Sequence, residues 1–251
     1  LDSDFGRLHY KTGDYLVIPR GTVYQLLPET LTQALIIETR EEIRLPDKGM
    51  LGQHALFDPA VIKVPDPDEF HAAKKEEQEE YKLSIKRAGE LTHVFYPFSP
   101  LNTMGWKGTL TIWQLNVDDI RPISCERYHL PPSAHTTFLS RNVVICSFLP
   151  RALEAGDPTA LKVPFYHANI DYDEVLFYHS GEFFSRTGID KGMLTLHPQG
   201  IHHGPQKKAV ENSHSLTKTN EVAVMLDTRN PLYMSDQASQ IEEVNYWKSW
   251  R

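Results

Sequence analysis

The chain has 251 residues, of which 40% are hydrophobic and 24% are charged, the balance of an ordinary globular protein with one large or two modest domains. Its net charge of −7 argues against a general binder of nucleic acid or anionic membranes, because both need a basic face. Two cysteines are too few for a disulfide scaffold, and no apolar run is long enough to cross a bilayer, so we expect a cytoplasmic protein.

Short β-branched and aromatic segments dominate the chain and are separated by Pro, Gly, Asp and Asn. They predict a mostly β fold, a sandwich or barrel with a few peripheral helices. In chain order, the predicted strands are residues 15–19, 34–38, 109–115, 142–149, 175–178 and 222–226. Two segments predict helices, namely the highly charged residues 68–80 and the tail at 239–250, whose apolar residues have helical spacing.

One internal repeat organises the chain. Residues 13–24 and 192–203 share the pattern G-x5-P-x-G-x2, which is followed by Tyr24 in the first copy and by His203 in the second. Each copy predicts a strand, a tight turn and a following residue that points into a barrel. The pattern is similar to the second conserved motif of the cupin superfamily, so two copies imply a bicupin of two jelly-roll barrels. Because Tyr24 stands where a histidine ligand would, only the second barrel is expected to bind metal.

Residues 156–164, with Asp157 next to Pro158, form a candidate connector between the two halves. They place an N-terminal cupin half at 1–155 and a C-terminal, metal-binding cupin with a helical tail at 156–251. The chain begins with Leu1 rather than Met and enters at once on a strand-like segment. We therefore expect that the N-terminal part of the first barrel is missing from this sequence.

A second motif, upstream of His203, completes a candidate metal site. The first cupin motif has the form H-x-H, three or four residues, Glu, six further residues, and then Gly. It is matched here by His167, Asn169, Glu174 and Gly181. On a strand, His167 and Asn169 would share a face, and Glu174 would point inward from the next strand. His167, Glu174 and His203 thus supply two imidazoles and one carboxylate, the facial triad of non-heme Fe(II) oxygenases, which leaves positions open for oxygen and substrate.

The segments with these motifs resemble the homogentisate 1,2-dioxygenases, a family of bicupin Fe(II) enzymes that cleave aromatic rings. The resemblance rests on residues 164–186 and 196–205 and extends to 52–62, 99–108 and 246–250. It implies that the triad holds Fe(II) and that homogentisate, or a related dihydroxylated aromatic acid, is cleaved with O2. It also implies a homo-oligomer, a trimer or hexamer, in the degradation of tyrosine, without nucleic-acid or membrane partners.

The same resemblance assigns the rest of the pocket. His197, six residues before His203, matches a histidine that lines the family's pocket. Lys107 stands where the family has a catalytic histidine in a W-H-G motif, and Gly181 is not followed by the family's pocket tyrosine. We predict that the Lys107 ammonium holds a substrate phenolate or carboxylate and that His197 or His135 moves the proton. Substrate contacts are predicted for Trp106, Tyr166 and Asn169.

Two other classes of function stay open at this point. Some cupins are isomerases or decarboxylases that use Mn, Zn or Ni without oxygen, and others are non-catalytic storage or small-molecule binding proteins. The intact triad in the second barrel favours catalysis over storage, and its three-ligand composition favours iron. A Ser-His-Asp hydrolase is disfavoured because the chain has no G-x-S-x-G motif.

Overall fold

The computed structural model describes residues 1–47, 57–72, 79–102, 108, 110–162 and 165–250. The chain forms two compact units, Leu1–Thr32 with Asp58–Asp119, and Gln33–Phe57 with Ile120–Arg251. Strands make up 29% and helices 15%, which confirms the predicted mostly β fold of cupin type. The boundary between cupin halves at residue 155 stays a prediction. Within the described residues, no helix has both the length and the apolar character needed to cross a membrane.

The first unit consists of small antiparallel pairings. Its elements are β1 (Asp2–Ser3), β2 (Gly6–Arg7), β3 (Asp14–Val17), β4 (Tyr24–Gln25), α1 (Pro67–Ala72), β5 (Tyr81–Arg87), β6 (Glu90–Tyr96) and β7 (Trp113–Asn116). Strand β1 lies between β2 and β4, β3 pairs with β7, and β5 pairs with β6. The hairpin between β5 and β6, which was not predicted, turns at Ala88 and Gly89, both with positive φ. This is the geometry of a tight hairpin turn.

The second unit is built on one antiparallel sheet of five strands. Its elements are β8 (Thr136–Ser140), β9 (Val143–Phe148), β10 (Asp173–Ser180), β11 (Leu194–His197), α2 (Lys207–Ser213), β12 (Val222–Thr228) and α3 (Asp236–Gln240). The strand order is β11-β10-β12-β9-β8. Tyr178, Phe183 and Ala223 form a buried apolar cluster against this sheet. Strand β10 pairs with β11 on one side and with β12 on the other, so both neighbours fix its register.

Most of the predicted strands are present. Residues 15–19, 142–149, 175–178 and 222–226 correspond to β3, β9, β10 and β12, and residues 109–115 overlap β7. The predicted strand at 34–38 is wrong. These residues pair with no strand among the described parts of the chain, and the Ile36 side chain is 83% exposed. A strand needs a neighbour to satisfy its backbone groups, and an apolar segment without one does not form a strand.

Both predicted helices were too long. Helix α1 is described as far as Ala72, residues 73–78 lie outside the described residues, and Glu79 and Glu80 are not helical. The tail is split into α3, capped by the Ser235 hydroxyl, and a 3-10 helix at Tyr246–Trp250. The Ile241 side chain between them is 86% exposed, so the apolar residues of the tail are not buried against another part of the described chain. Short helices depend on such packing.

The two copies of the repeat end differently. In the second copy, His203 is buried. In the first copy, Tyr24 is 47% exposed in the two-residue strand β4, so the expectation that it points into a barrel is wrong. Strand β4 is an edge strand, paired only with β1 in its sheet, and its residues face solvent.

Candidate metal centre

Three of the predicted residues meet in the second unit. The ligand atoms of His167, Glu174 and His203 all lie within 4.8 Å of one another. His167 and His203 are joined by two backbone hydrogen bonds, of 2.9 and 2.8 Å, in an isolated antiparallel bridge. Glu174 is the second residue of β10. The predicted set therefore converges from a bridge and a strand that are fixed by backbone pairing.

The backbone fixes the tautomer of both histidines. The Nδ1 atom of His167 lies 2.7 Å from the carbonyl oxygen of Phe165, and that of His203 lies 2.9 Å from the carbonyl oxygen of Ile201. Because a carbonyl only accepts hydrogen bonds, each Nδ1 carries a proton, and in the neutral ring each Nε2 presents a lone pair. The Nε2 atom of His203 is buried and has no hydrogen-bond partner. A buried lone pair of this kind fits a metal cation.

The Glu174 carboxylate supplies the negative charge of the site. Burial raises its pKa, but the hydrogen bond from His197 and the closeness of the His203 imidazole outweigh burial and lower the pKa to about 2. Its Oε1 atom lies 2.7 Å from His197 Nδ1 and 3.6 Å from His203 Nε2. Glu174 is therefore ionised at neutral pH, the state that metal coordination requires.

His197 lies directly beside this carboxylate. It ends β11 opposite Glu174 in the register of β10 and β11, and its ring stacks on His203 with the centroids 4.2 Å apart. Because the ionised Glu174 accepts a hydrogen bond, His197 Nδ1 carries the proton, and the buried Nε2 has no partner. Burial lowers the pKa of His197, so its ring is neutral at neutral pH and can accept a proton at Nε2.

Asp173, which precedes Glu174, has a different contact set. Its Oδ1 atom accepts a hydrogen bond from the backbone of Gln199 at 2.8 Å, and its Oδ2 atom accepts one from Leu232 at 2.6 Å. Successive side chains of a strand point to opposite faces, so only one of the two neighbouring carboxylates can face the histidines. Asp173 instead ties the segments after β11 and β12 to the start of β10.

The predicted substrate contacts lie close to the ligands in the chain. The Asn169 side chain is half-buried, and the backbone carbonyl oxygen of Asn169 accepts a hydrogen bond from the backbone N–H of Gly200 at 2.9 Å. Tyr166 is 58% exposed and packs against Gly204, where an added Cβ would lie 3.0 Å from the ring. No described side-chain contact joins Tyr166 or Asn169 to the triad. Trp106 and Lys107 lie outside the described residues.

The structure places His135 in a separate cluster. It is buried, its ring centroid lies 5.3 Å from that of Phe148, and no described contact joins it to the triad. Burial, followed by the charge of Arg151, lowers the pKa of His135 to about 4. Nearby, the Glu154 carboxylate lies 3.3 Å from both His129 and Arg151. His135 is therefore neutral at neutral pH and belongs to a second buried polar group.

Sequence reasoning missed Asp227, which faces Glu174 from the other neighbouring strand. The register of β10 and β12 pairs the two residues, and Asp227 Oδ1 is buried without a partner. Burial, and then the charge of Glu174, raise the pKa of Asp227 to about 7. No motif signals this residue, because its position depends on the pairing of strands that are about 50 residues apart.

Asp227→Asn is expected to stabilise the metal-free protein in a pH-dependent way. The folded protein holds the Asp227 proton up to about pH 7, whereas the group's ordinary pKa is 3.8. The folded state therefore binds more protons inside this window, and wild-type stability falls as the pH rises through it. The amide mimics the protonated acid, so the gain should grow from about pH 4 and level off above about pH 7, at a few kcal/mol and several degrees in Tm.

The measurement for Asp227→Asn is the thermal midpoint of EDTA-treated protein across this pH range. The matched control is Asp171→Asn, which changes a carboxylate whose side chain is 68% exposed. It should leave Tm unchanged at every pH. An Asp227→Asn protein that is less stable than wild type at about pH 8 would contradict the assignment of a raised pKa.

The chain is similar to known dioxygenases. The family described as "Homogentisate 1,2-dioxygenase N-terminal" matches residues 1–117, which precede the triad. A protein of Saccharolobus solfataricus named "putative dioxygenase" is 38% identical over 99% of this chain and 64% of its own length. The homogentisate 1,2-dioxygenases of Sinorhizobium fredii and Rhizobium rhizogenes are 24% and 25% identical over 99% of this chain and 57% of their own lengths. The chain thus spans somewhat under two thirds of these relatives.

Proposed function

Because the chain belongs to the homogentisate 1,2-dioxygenase family, we propose that it carries the metal centre of an Fe(II)-dependent dioxygenase that cleaves an aromatic ring with O2. The observation that supports this function most directly is the triad itself. Two imidazoles, with Nδ1 protonated and Nε2 free, and one ionised carboxylate lie within 4.8 Å of one another. A set of two histidines and one carboxylate with open positions is typical of non-heme Fe(II) oxygenases.

Three residues would hold the ion, and each has a preset role. His167 and His203 would each bind through Nε2, since Nδ1 is engaged by a carbonyl oxygen. Glu174 would bind as the anion and leave an Fe(II) site with a net positive charge, which favours an anionic ligand. When bound, Fe(II) supplies the activation of O2 and a place for the oxygen atoms of the substrate.

His197 is the group best placed to move a proton. Its Nδ1–H is held by Glu174, which leaves Nε2 as an acceptor on a buried, neutral ring. In the proposed reaction this atom takes the hydroxyl proton of the phenol, which makes the ring richer in electrons. The hydrogen bond to Glu174 also orients the ring, so one contact serves both the ligand and the proton acceptor.

We propose homogentisate, or a related dihydroxylated aromatic acid, as the substrate, within aromatic amino acid catabolism in the cytoplasm. The family relationship supports this substrate class, and the positive charge expected at the metal agrees with an acid. We also keep the homo-oligomer, a trimer or hexamer, as a proposal from family membership. Lys107 and His135 remain predicted pocket residues by the same relationship, although the contacts of His135 favour His197 as the proton acceptor.

Metal removal and reconstitution test the proposed function. The EDTA-treated protein should take up one metal ion per chain, and anaerobic loading with Fe(II) should restore O2 uptake with homogentisate or another hydroquinone acid. Loading with Zn(II) should fill the site without O2 uptake, because Zn(II) has no redox chemistry. Turnover with Mn, Zn or Ni without O2 uptake would indicate an isomerase or decarboxylase. Metal binding without turnover of any tested compound would favour a binding protein.

A further inference from the structure

Arg186 is a buried cation. Only 8% of it is exposed, Nη1 donates to the carbonyl oxygen of Ser185 at 3.1 Å, and Nε is buried without a partner. Among the described residues, no carboxylate forms an ion pair with it. A guanidinium stays charged at neutral pH, and a buried charge that lacks a counter-charge is costly. The arrangement is that of a site that an anion completes.

Glu221, a carboxylate whose pKa Arg186 affects, is a poor counter-ion for the guanidinium. Burial raises the pKa of Glu221 to about 7, although the charges of Arg151 and Arg186 act in the opposite direction. Glu221 is therefore only partly ionised at neutral pH, and it forms no ion pair with Arg186. An external carboxylate, ionised well below pH 7, would be a better partner.

The tail of the chain connects Arg186 to the segment that follows His203. The Arg186 guanidinium carbon lies 5.9 Å from the centre of the Trp250 ring, and Trp250 Nε1 donates to the carbonyl oxygen of Gly204 at 3.2 Å. Gly204 directly follows His203. On the other side, the backbone of Thr187 donates to Gln206 Oε1 at 2.6 Å. Arg186 is thus fastened from two directions to the segment that carries His203.

We infer that Arg186 binds the carboxylate of an aromatic acid substrate and selects it over neutral dihydroxybenzenes. The inference rests on the proposed function and assigns a substrate-binding role to this residue. The planar guanidinium presents two parallel N–H groups to a carboxylate, a stronger contact than a neutral hydrogen bond. A neutral analogue would leave the buried cation without a partner, which costs binding free energy. The site therefore favours the acid both because it attracts the carboxylate and because it binds neutral analogues poorly.

The test compares homogentisate with its methyl ester, which keeps the ring and both hydroxyls but has no negative charge. Binding to Fe(II)-loaded protein is measured without oxygen by titration calorimetry, for wild type, Arg186→Met and Arg186→Lys. The wild type should prefer the acid, and Arg186→Met should reduce this preference by about 10- to 100-fold. Arg186→Lys should retain part of this preference, because lysine keeps the positive charge but lacks the two parallel N–H groups of the guanidinium. The contribution of the metal's positive charge to binding of the acid is common to all three proteins and cancels in the comparison.

Arg229→Met is the matched control, because it removes an arginine whose side chain is 58% exposed. Its preference for the acid should equal that of wild type. Equal binding of acid and ester by wild type overturns the inference without any variant. If Arg186→Met prefers the acid over the ester as strongly as wild type does, the inference is also overturned, and Arg186 is then a structural cation. If Arg186→Met does not fold, the same result in Arg186→Lys has this meaning. If the acid preference depends on Arg186 but no O2 is taken up, the dioxygenase proposal fails and the anion site stands.

Discussion

Glu174→Gln is expected to abolish stoichiometric metal binding while the fold remains. The substitution keeps the shape of the side chain but removes the only anionic donor of the triad. It also weakens the 2.7 Å hydrogen bond with His197, which depends on the charge of the carboxylate. Changes to residues that merely support a ligand typically cost 10- to 100-fold in metal affinity, so loss of this ligand should cost more than about 100-fold. Metal content after Fe(II) loading, with O2 uptake on homogentisate, measures the effect.

Two neighbouring carboxylates make the Glu174 experiment specific. Asp171→Asn changes an exposed group and should leave both metal content and Tm as in wild type. Asp173→Ala should lower Tm, because the backbone N–H groups of Gln199 and Leu232 lose their acceptor, but the folded fraction should still bind one metal ion. Full metal binding by Glu174→Gln would show that the triad is not the metal site.

His197→Phe is expected to lower kcat by about 10²- to 10⁴-fold at saturating Fe(II), the usual contribution of a positioned general base. Phenylalanine keeps a flat ring to stack on His203, at the place where the two imidazole centroids lie 4.2 Å apart, but it has no atom that accepts a proton. The KM for homogentisate should change less than kcat. In wild type, kcat should fall as the pH drops through the lowered pKa of His197, and this acid limb should be absent from the variant.

Two further variants separate proton transfer from positioning. His197→Gln can still donate a hydrogen bond to Glu174, so it should bind metal more tightly than His197→Phe and yet keep a low kcat. His202→Phe changes an exposed residue next to His203 and should leave kcat and its pH profile unchanged. A wild-type kcat in His197→Phe would show that another group takes the proton.

The sequence by itself determined the parts of the site that depend on local geometry. The spacing of His167, Glu174 and His203 selected the three residues that the structure brings together. Each histidine also places Nδ1 on the carbonyl oxygen two residues before it, so the local backbone decides which nitrogen faces the centre. The motif spacing selected Glu174 over its neighbour Asp173, and the alternation of side chains along β10 agrees with that choice. These features follow from neighbours in the chain, and a pattern of residue types can therefore reveal them.

Only the tertiary structure decided the groups around the triad. Asp227 faces Glu174 through the register of two strands, and Arg186 reaches the His203 segment through Trp250 and Gly204. Such contacts join distant parts of the chain, and no local pattern encodes the register that creates them. The same reason explains the wrong strand at 34–38 and the shortened tail helix. Their residue patterns suited a strand and a helix. A strand, however, requires a neighbouring strand, and the apolar face of a helix requires a surface that covers it.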